Sequence, residues 1–395
     1  MIELKAIKEV AATIKTGKTP PTNESQYFDG DVNWYTPGDL DKDMELGVSK
    51  RTLTKIAFED KKAIIHKPGT LLVGCIGDIG KLGVTTMDCS SNQQLTGIYP
   101  KENLDVNYLY FWFRANKKIL DSYSNNAVVP ILNNRTLETI KIPLPPLAEQ
   151  KKIAAILDAA AIYRQKTKAL IAKYDELTQS LFLDMFGDPV RNPKGWEKKS
   201  LSVFIKQLNT GVSVNSTDKE YKEGELGILK TSCVYSGEFR PAEAKVIRED
   251  EHSRMKLNPT IDSIIVSRMN TTELVGKSAY ISNDFPDLFL PDRLWQTEKG
   301  ELLHNVRWLA YAISFRSFMN EIGSISSGTS GSMKNISKKN FLNLLLIYPD
   351  LNLQNQFAER VAAVEKQKAQ SQVSLEKAEE LFASLLQRAF KGELV

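Results

Sequence analysis

The feature that most constrains this chain is an internal repeat. IPLPPLAEQKKIAAIL (Ile142 to Leu157) has a weaker copy in IYPDLNLQNQFAERV (Ile347 to Val361). Pro145 lies over Pro349, Leu147 over Leu351, Gln150 over Gln354, Ile153 over Phe357 and Ala154 over Ala358, each pair 204 positions apart. The same offset continues without a gap to ELTQSLFLDMFG (Glu176 to Gly187) over ELFASLLQRAFK (Glu380 to Lys391). A fixed register held through a whole helix length identifies a duplicated unit. Upstream the copy is looser: AIKEVAATIKTG (Ala6 to Gly17) lies over SLSVFIKQLNTG (Ser200 to Gly211) at an offset of 194. Each unit therefore joins a variable part to a better-kept helical part.

The variable parts read as mixed structure. TLLVGCIG (70–77) and SIIVSRM (263–269) are short apolar runs between turn residues, the pattern of buried strands. NYLYFWFRANKKIL (107–120) and VRWLAYAISFRSFMNEI (306–322) read as amphipathic helices. Strands and helices without regular alternation predict an α+β class.

Pro143, Pro145 and Pro146 then hold the chain extended and withdraw amide donors, so a helix starts only beyond Pro146. From there to Phe186 there is no Gly or Pro, about 60 Å of helix, and Gly187 and Pro189 end it. A second breaker-free stretch runs from about Leu353 to Phe390. Both are too polar to stand alone and need a partner. On a 3-4 spacing the first offers Ile153, Ile156, Ala160, Tyr163, Leu170, Tyr174, Leu177 and Leu181; the second offers Phe357, Val361, Val364, Leu375, Ala378, Phe382 and Leu385. The pattern predicts that they pair as a coiled coil. The pattern alone leaves the direction open. A pseudo-two-fold relating two fused copies makes it antiparallel. The expected organisation is a globular domain over 1–146, a spacer helix over 147–187, a second globular domain over 188–350 and a second spacer helix over 351–395. The helices form a rod that separates the two domains.

Composition bounds the function. The 395 residues include 42% hydrophobic and 25% charged residues, with a formal net charge of +4, which permits an anionic partner without requiring one. Cys75, Cys89 and Cys233 are scattered, without CxxC spacing, and His66, His252 and His304 form no ligand cluster. Neither a disulfide framework nor a zinc site is expected. MIELKAIKEV has an early glutamate and no apolar core, so a signal peptide is not expected, and no apolar run is long enough to span a bilayer. A cytoplasmic location is expected. VGKS (275–278) has Thr271 where a phosphate loop needs its first glycine, and GDIGK (77–81) reads as a turn between strands. No catalytic constellation is found.

IPLPPLAEQKKIAAIL, followed by LFLDMFGDPVRNPKGWEKKSL (181–201) and the ending AFKGEL (389–394), resembles the specificity subunit of type I restriction–modification systems, over the whole chain. The resemblance implies two target-recognition domains, each reading one half of a bipartite sequence in double-stranded DNA. It implies helices that set the unread gap and dock two methyltransferase subunits, with restriction/translocase subunits joining the complex. Catalysis then belongs to the partners, which use S-adenosylmethionine, ATP and Mg, and this chain binds no cofactor or metal. Two places depart from the pattern: the second strap lacks the double proline and has Leu353 where Glu149 stands in the first, and the second globular domain has SRMN (267–270) where the first has GCIG (74–77).

DNA binding needs cations for phosphates and hydrogen-bonding side chains for base edges. Lys18 and Thr19 in TGKTP, Lys81, Arg114 and Arg135 are the candidates in the first domain; Lys230, Arg268, Lys277, Arg293 and Lys334 are those in the second. Arginine is the best bidentate reader of guanine, which favours Arg268 and Arg293 as base readers. SGTSGSMKN (327–335) is a further loop that DNA could order. Pro145, Pro146, Glu149 and Gln150 are the candidate contacts for the methyltransferase. Two rivals remain from the sequence: the subunit of a related multisubunit restriction system, and a coiled-coil scaffold that binds only protein. A third, an enzyme in its own right, would need activity from this chain alone.

Overall fold

The computed structural model describes residues 3–123, 129–328 and 333–394. The chain forms two compact units, residues 1–169 with 371–395, and residues 170–370.

In the first unit a four-stranded antiparallel sheet runs in the order Ala11–Thr16, Leu95–Pro100, Leu71–Gly74, Leu82–Val84. A smaller sheet sets Phe28–Tyr35 between Arg51–Leu53 and Ser90–Ser91. Leu71, Leu72 and Val73 are all fully buried, which explains a continuous apolar run instead of an alternating one. The ends of the globular part meet: Leu4–Ala6 pairs antiparallel with Lys141–Pro143, so the strap begins as a strand. Leu147–Phe186 follows directly as a 40-residue helix.

The second unit repeats this plan. Its four-stranded sheet runs Ile205–Thr210, Leu294–Lys299, Ser263–Ser267, Ser278–Ile281. Edge strands break register at the same place, between Ala11 and Thr13 and between Ile205 and Gln207. Lys198–Ser200 pairs with Leu345–Ile347 ahead of the helix Leu351–Ala389. A second four-stranded sheet, Ser216–Glu220, Ala244–Ile247, Gly227–Leu229, Leu288–Phe289, stands where the first unit has three strands.

Each of the two amphipathic runs expected as single helices is broken in two, as Val106–Ala115 with Lys117–Tyr123, and Val306–Ser314 with Arg316–Ile325. At the first break Asn116 turns its amide back to the Trp112 carbonyl (2.9 Å); at the second, Phe315 is extended (φ −66°, ψ 141°). Neither residue is a Gly or Pro, so the sequence carries no breaker signal there.

The long helices pack antiparallel within each unit. In the first, Arg164 lies over the Phe382 ring and Lys168 pairs with Glu379 at 2.6 Å. In the second, Lys368 pairs with Asp175, and Phe182 and Phe186 meet Phe357. The mixed strands and helices of both units, with the paired long helices, fit the expected α+β class.

The seam differs from the apolar list for the first helix. A covered line runs through Leu157, Ala160, Arg164, Thr167, Ile171, Tyr174, Thr178, Leu181 and Met185 in strict 3-4 alternation. Ile156, Leu170 and Leu177 lie outside it, exposed at 39, 42 and 50%, whereas Tyr163 flanks it, its hydroxyl 2.8 Å from Ser374 Oγ of the second helix. Threonines tolerate the seam because each bonds its own helix: Thr167 Oγ1 donates to Tyr163 O (2.9 Å) and Thr178 Oγ1 to Tyr174 O (3.0 Å). The second helix keeps its expected face, with Phe357, Val361, Val364, Leu375, Ala378, Phe382 and Leu385 all covered or partly covered.

Candidate nucleic-acid interface

The first unit's candidates gather at one end of its four-stranded sheet. Strand Ala11–Thr16 stops at Gly17, which lies so close to the neighbouring chain that a Cβ would sit 2.2 Å from the Asn92 carbonyl. The glycine lets the next residue be clamped on both sides. Lys18 N–H donates to Ser91 O (2.9 Å), and the indole of buried Trp34 donates to Lys18 O (3.2 Å). The Lys18 side chain is exposed at the tip of this fixed turn. The Thr19 hydroxyl donates to Gln93 Oε1. Behind the turn, the Thr16 and Thr96 hydroxyls stand 3.0 Å apart and cluster on the Asn134 side-chain amide, whose Nδ2 donates to Thr16 Oγ1 (2.8 Å); exposed Arg135 follows on the helix Asn134–Thr139.

Lys81 belongs to the same sheet end, its carbonyl accepting from Gly74 N–H at 2.8 Å. Its ammonium pairs with Asp78 at 2.7 Å, and that bond holds the Asp78 carboxyl below the usual range. Gly77 and Gly80 take φ of 77° and 76°, so GDIGK is a turn. The Arg114 guanidinium is half-buried, donating to Tyr110 Oη (3.2 Å) and lying 3.9 Å from the Asp41 carboxylate.

The second unit places other chemistry on the same frame. Gly211 matches Gly17: a Cβ there would stand 1.7 Å from Leu290 O. Ser213 donates to the Asp292 carboxylate, the counterpart of Thr19 on Gln93. Arg268 Nε donates to Asp292 O (2.6 Å), and its backbone N–H donates to Arg293 O (3.1 Å), so Arg268 and exposed Arg293 are brought together. Lys277 O accepts from Ser267 N–H at 2.8 Å. Lys334 stands opposite Asn270 in a short ladder, its Nζ donating to Gly328 O (3.1 Å). Lys230 belongs to the other sheet and lies 3.6 Å from the Glu243 carboxylate. Residues 329–332 of SGTSGSMKN lie outside the described residues.

The strap residues divide. Gln150 is fully buried: Oε1 accepts from Asp105 N–H (2.9 Å), and Nε2 donates to Asn103 O (3.0 Å) and Pro145 O (2.8 Å). Gln354 repeats this at 2.9 Å from Asn305 N–H and 2.8 Å to Pro349 O. Gln150 and Pro145 thus face inward, which leaves their side chains no surface for a partner; Pro146 is exposed and Glu149 half-buried. Sequence reasoning missed Lys61, Lys62 and Gln93, which share a shallow depression with Lys18 and Thr19. The KK pair lies 43 residues from Lys18, too far for local spacing to connect them.

Among the described residues no group of three or more His, Cys, Asp or Glu could hold a metal, and no helix is long and apolar enough to cross a membrane.

Residues 2–173 match the model of the type I restriction modification DNA specificity domain. The type I restriction enzyme MjaIX specificity subunit of Methanocaldococcus jannaschii is 27% identical over 264 residues, 60% of this chain and 60% of that protein. The EcoKI specificity subunit of Escherichia coli is 27% identical over 296 residues, 70% of this chain and 62% of that protein. In fold, the S subunit of the type I restriction-modification system from M. genitalium superposes with a TM-score of 0.65 at 13% identity, covering 98% of this chain and 96% of that one.

The N-terminal part of the chain thus matches a type I restriction modification DNA specificity domain, and in sequence the chain is similar to type I specificity subunits. The matches span somewhat over half the length of those two curated relatives. The duplicated frame with unlike rims is the informative feature. The Thr-Gly turn and the hydroxyl bond recur, while Lys18 and Gln93 give way to Val212 and Asp292.

Proposed function

We propose that this specificity subunit reads a bipartite target in double-stranded DNA, one half-site per globular domain, without catalysing a reaction itself. The observation that carries the reading is the pair of matched sheet ends with unlike side chains: lysines, Thr19 and Gln93 in one unit, Arg268, Arg293, Ser213 and Asp292 in the other. A shared scaffold with different donor and acceptor sets suits two different short sequences. Arg268 and Arg293 serve as base readers. Lys18, Lys81 and Arg135 hold the backbone in the first domain, and Lys277 and Lys334 in the second. The 40-residue and 39-residue helices set the unread gap. Pro146 and Glu149 belong to the surface that docks two methyltransferase subunits, which carry S-adenosylmethionine. Restriction/translocase subunits bring ATP and Mg, and the complex works in the cytoplasm.

The test is genome-wide mapping of N6-methyladenine with and without this gene. Loss of methylation at one split motif is the expected result. No change, together with co-purification of an active methyltransferase, would defeat the reading. Removing one heptad from both long helices should change the gap and leave the half-sites alone; an unaltered gap would refute the spacer role.

A further inference from the structure

The depression beside the Lys18 turn, about 450 Å3 in volume, is lined by Gly17, Lys18, Thr19, Pro21, Lys61, Lys62 and Gln93. Its lining holds three ammonium groups and no carboxylate. All three lysines are exposed, so their charge is available to a ligand. Lys18 is fixed through its backbone by Ser91 and Trp34. Its Nζ reaches the Lys61 carbonyl at 3.5 Å, which draws the two segments together. Lys61 has a positive φ of 57°, and Lys62 N–H closes on Ala57 O at 2.9 Å, so the KK pair sits on a tight, defined turn. The Thr19 hydroxyl bond engages Gln93 Oε1, a pairing that leaves the Gln93 Nε2 donors uninvolved. The groups lining this depression are thus mostly donors, a combination suited to an oxyanion with several acceptor oxygens.

We infer that this depression seats one phosphodiester of the nucleic-acid backbone, and that Lys61 and Lys62 are binding residues alongside Lys18. The assignment rests on the DNA reading above and deepens it. The second unit has the same Thr-Gly turn and hydroxyl bond but puts Val212 for Lys18 and Asp292 for Gln93. The carboxylate there would repel a phosphate at the matching point. The seat is therefore a property of the first unit, and the two units differ in how they hold the duplex as well as in what they read.

The variant K61N/K62Q tests it, asparagine being tolerated at a left-handed position. K18M is the second variant, which keeps the apolar stem. Equilibrium binding of the full chain, with its partner subunits if it requires them, is measured on duplexes with and without the mapped target between about 50 and 200 mM salt. The seat predicts equal weakening on every duplex and a fall of about 1 in the slope of log affinity against log salt, with target preference unchanged. An unchanged slope while the wild type still selects its target overturns the seat and leaves the DNA reading standing. A changed target preference overturns it in favour of base reading. A wild type that binds no duplex overturns both. Inorganic phosphate alone is the remaining arm: if it stabilises the wild type but not K61N/K62Q while duplex binding is equal, the seat takes a free anion and the nucleic-acid assignment is wrong.

Discussion

The side-chain amide of Gln150 donates to the carbonyl of Pro145 at 2.8 Å, and the 204-residue repeat reproduces the bond between Gln354 and Pro349 at 2.8 Å. Each glutamine also caps the helix ahead of it through the backbone of Asp105 or Asn305. One buried amide thus joins strap, globular part and long helix. Gln150→Leu strands the Asp105 N–H and the carbonyls of Asn103 and Pro145. A buried group left unpaired costs about 1–3 kcal/mol, so the first unit should lose roughly 3 kcal/mol or more. Gln150→Glu keeps the acceptor for Asp105 but sets a carboxylate against two carbonyls. Its folded pKa is raised, so that variant should gain stability relative to wild type as pH falls through the carboxylate range. Denaturant unfolding with a probe in the first unit reads both; a loss below about 0.5 kcal/mol for Leu would mean the amide is not a lock.

Acid should act on the first unit through His66. The ring is buried, with Nε2 2.9 Å from Ser91 Oγ. Burial, with a smaller contribution from the Lys15 charge, pushes its pKa down to about 4. Unfolded, the imidazole titrates near 6.5. Between those values the unfolded chain binds the extra proton, so stability is complete above about 6.5 and falls as pH drops toward 4. The loss amounts to roughly 3 kcal/mol. His66→Gln removes that term. The wild-type minus variant difference in unfolding free energy should therefore shrink over this window; parallel curves would show that His66 does not titrate against the fold.

What the sequence made legible follows from what repeats carry. Gln150 and Gln354 kept their spacing because one hydrogen-bond pattern demands the same residue twice. Pro146 set the start of the helix because its ring forbids an earlier one. The seam of the first helix was obscured because Arg164, Thr167 and Thr178 are polar yet covered, satisfied by a ring face or by their own backbone, while Ile156 and Leu177 are apolar and exposed. Lys61 and Lys62 were hidden for another reason. They join Lys18 only after the chain has folded across the small sheet, and no local pattern marks that approach.

Glycines at the sheet ends should be specific to their own unit. A Cβ on Gly17 meets the Asn92 and Ser91 carbonyls at 2.2 and 2.3 Å, and one on Gly211 meets the Leu290 carbonyl at 1.7 Å. These are backbone atoms of neighbouring strands or turns, so no side chain can swing aside. Gly17→Ala and Gly211→Ala should each cost about 3 kcal/mol or more, within the range of severe overpacking. Hydrogen exchange should rise in strands Ala11–Thr16 and Leu95–Pro100 for the first and in Ile205–Thr210 and Leu294–Lys299 for the second. A variant that loosened both units equally would contradict independent cores.

The seam makes opposite demands on two leucines of one helix. Leu157 is fully buried in the first unit's core together with Ile153, Phe382 and Ala389. Leu177 is half exposed beside the seam. Leu157→Ala opens a cavity among fixed neighbours and should cost about 2–5 kcal/mol. Leu177→Ala removes a side chain that is mostly in water and adds a better helix former, so its change should stay within about 0.5 kcal/mol. Thr167→Val tests the polar seam itself. Its hydroxyl bonds the Tyr163 carbonyl of its own helix, so replacing it with a methyl should be tolerated to within about 1 kcal/mol. Equal costs for Leu157→Ala and Leu177→Ala, measured by denaturant unfolding, would place the seam one residue away and return Ile156, Leu170 and Leu177 to the helix interface.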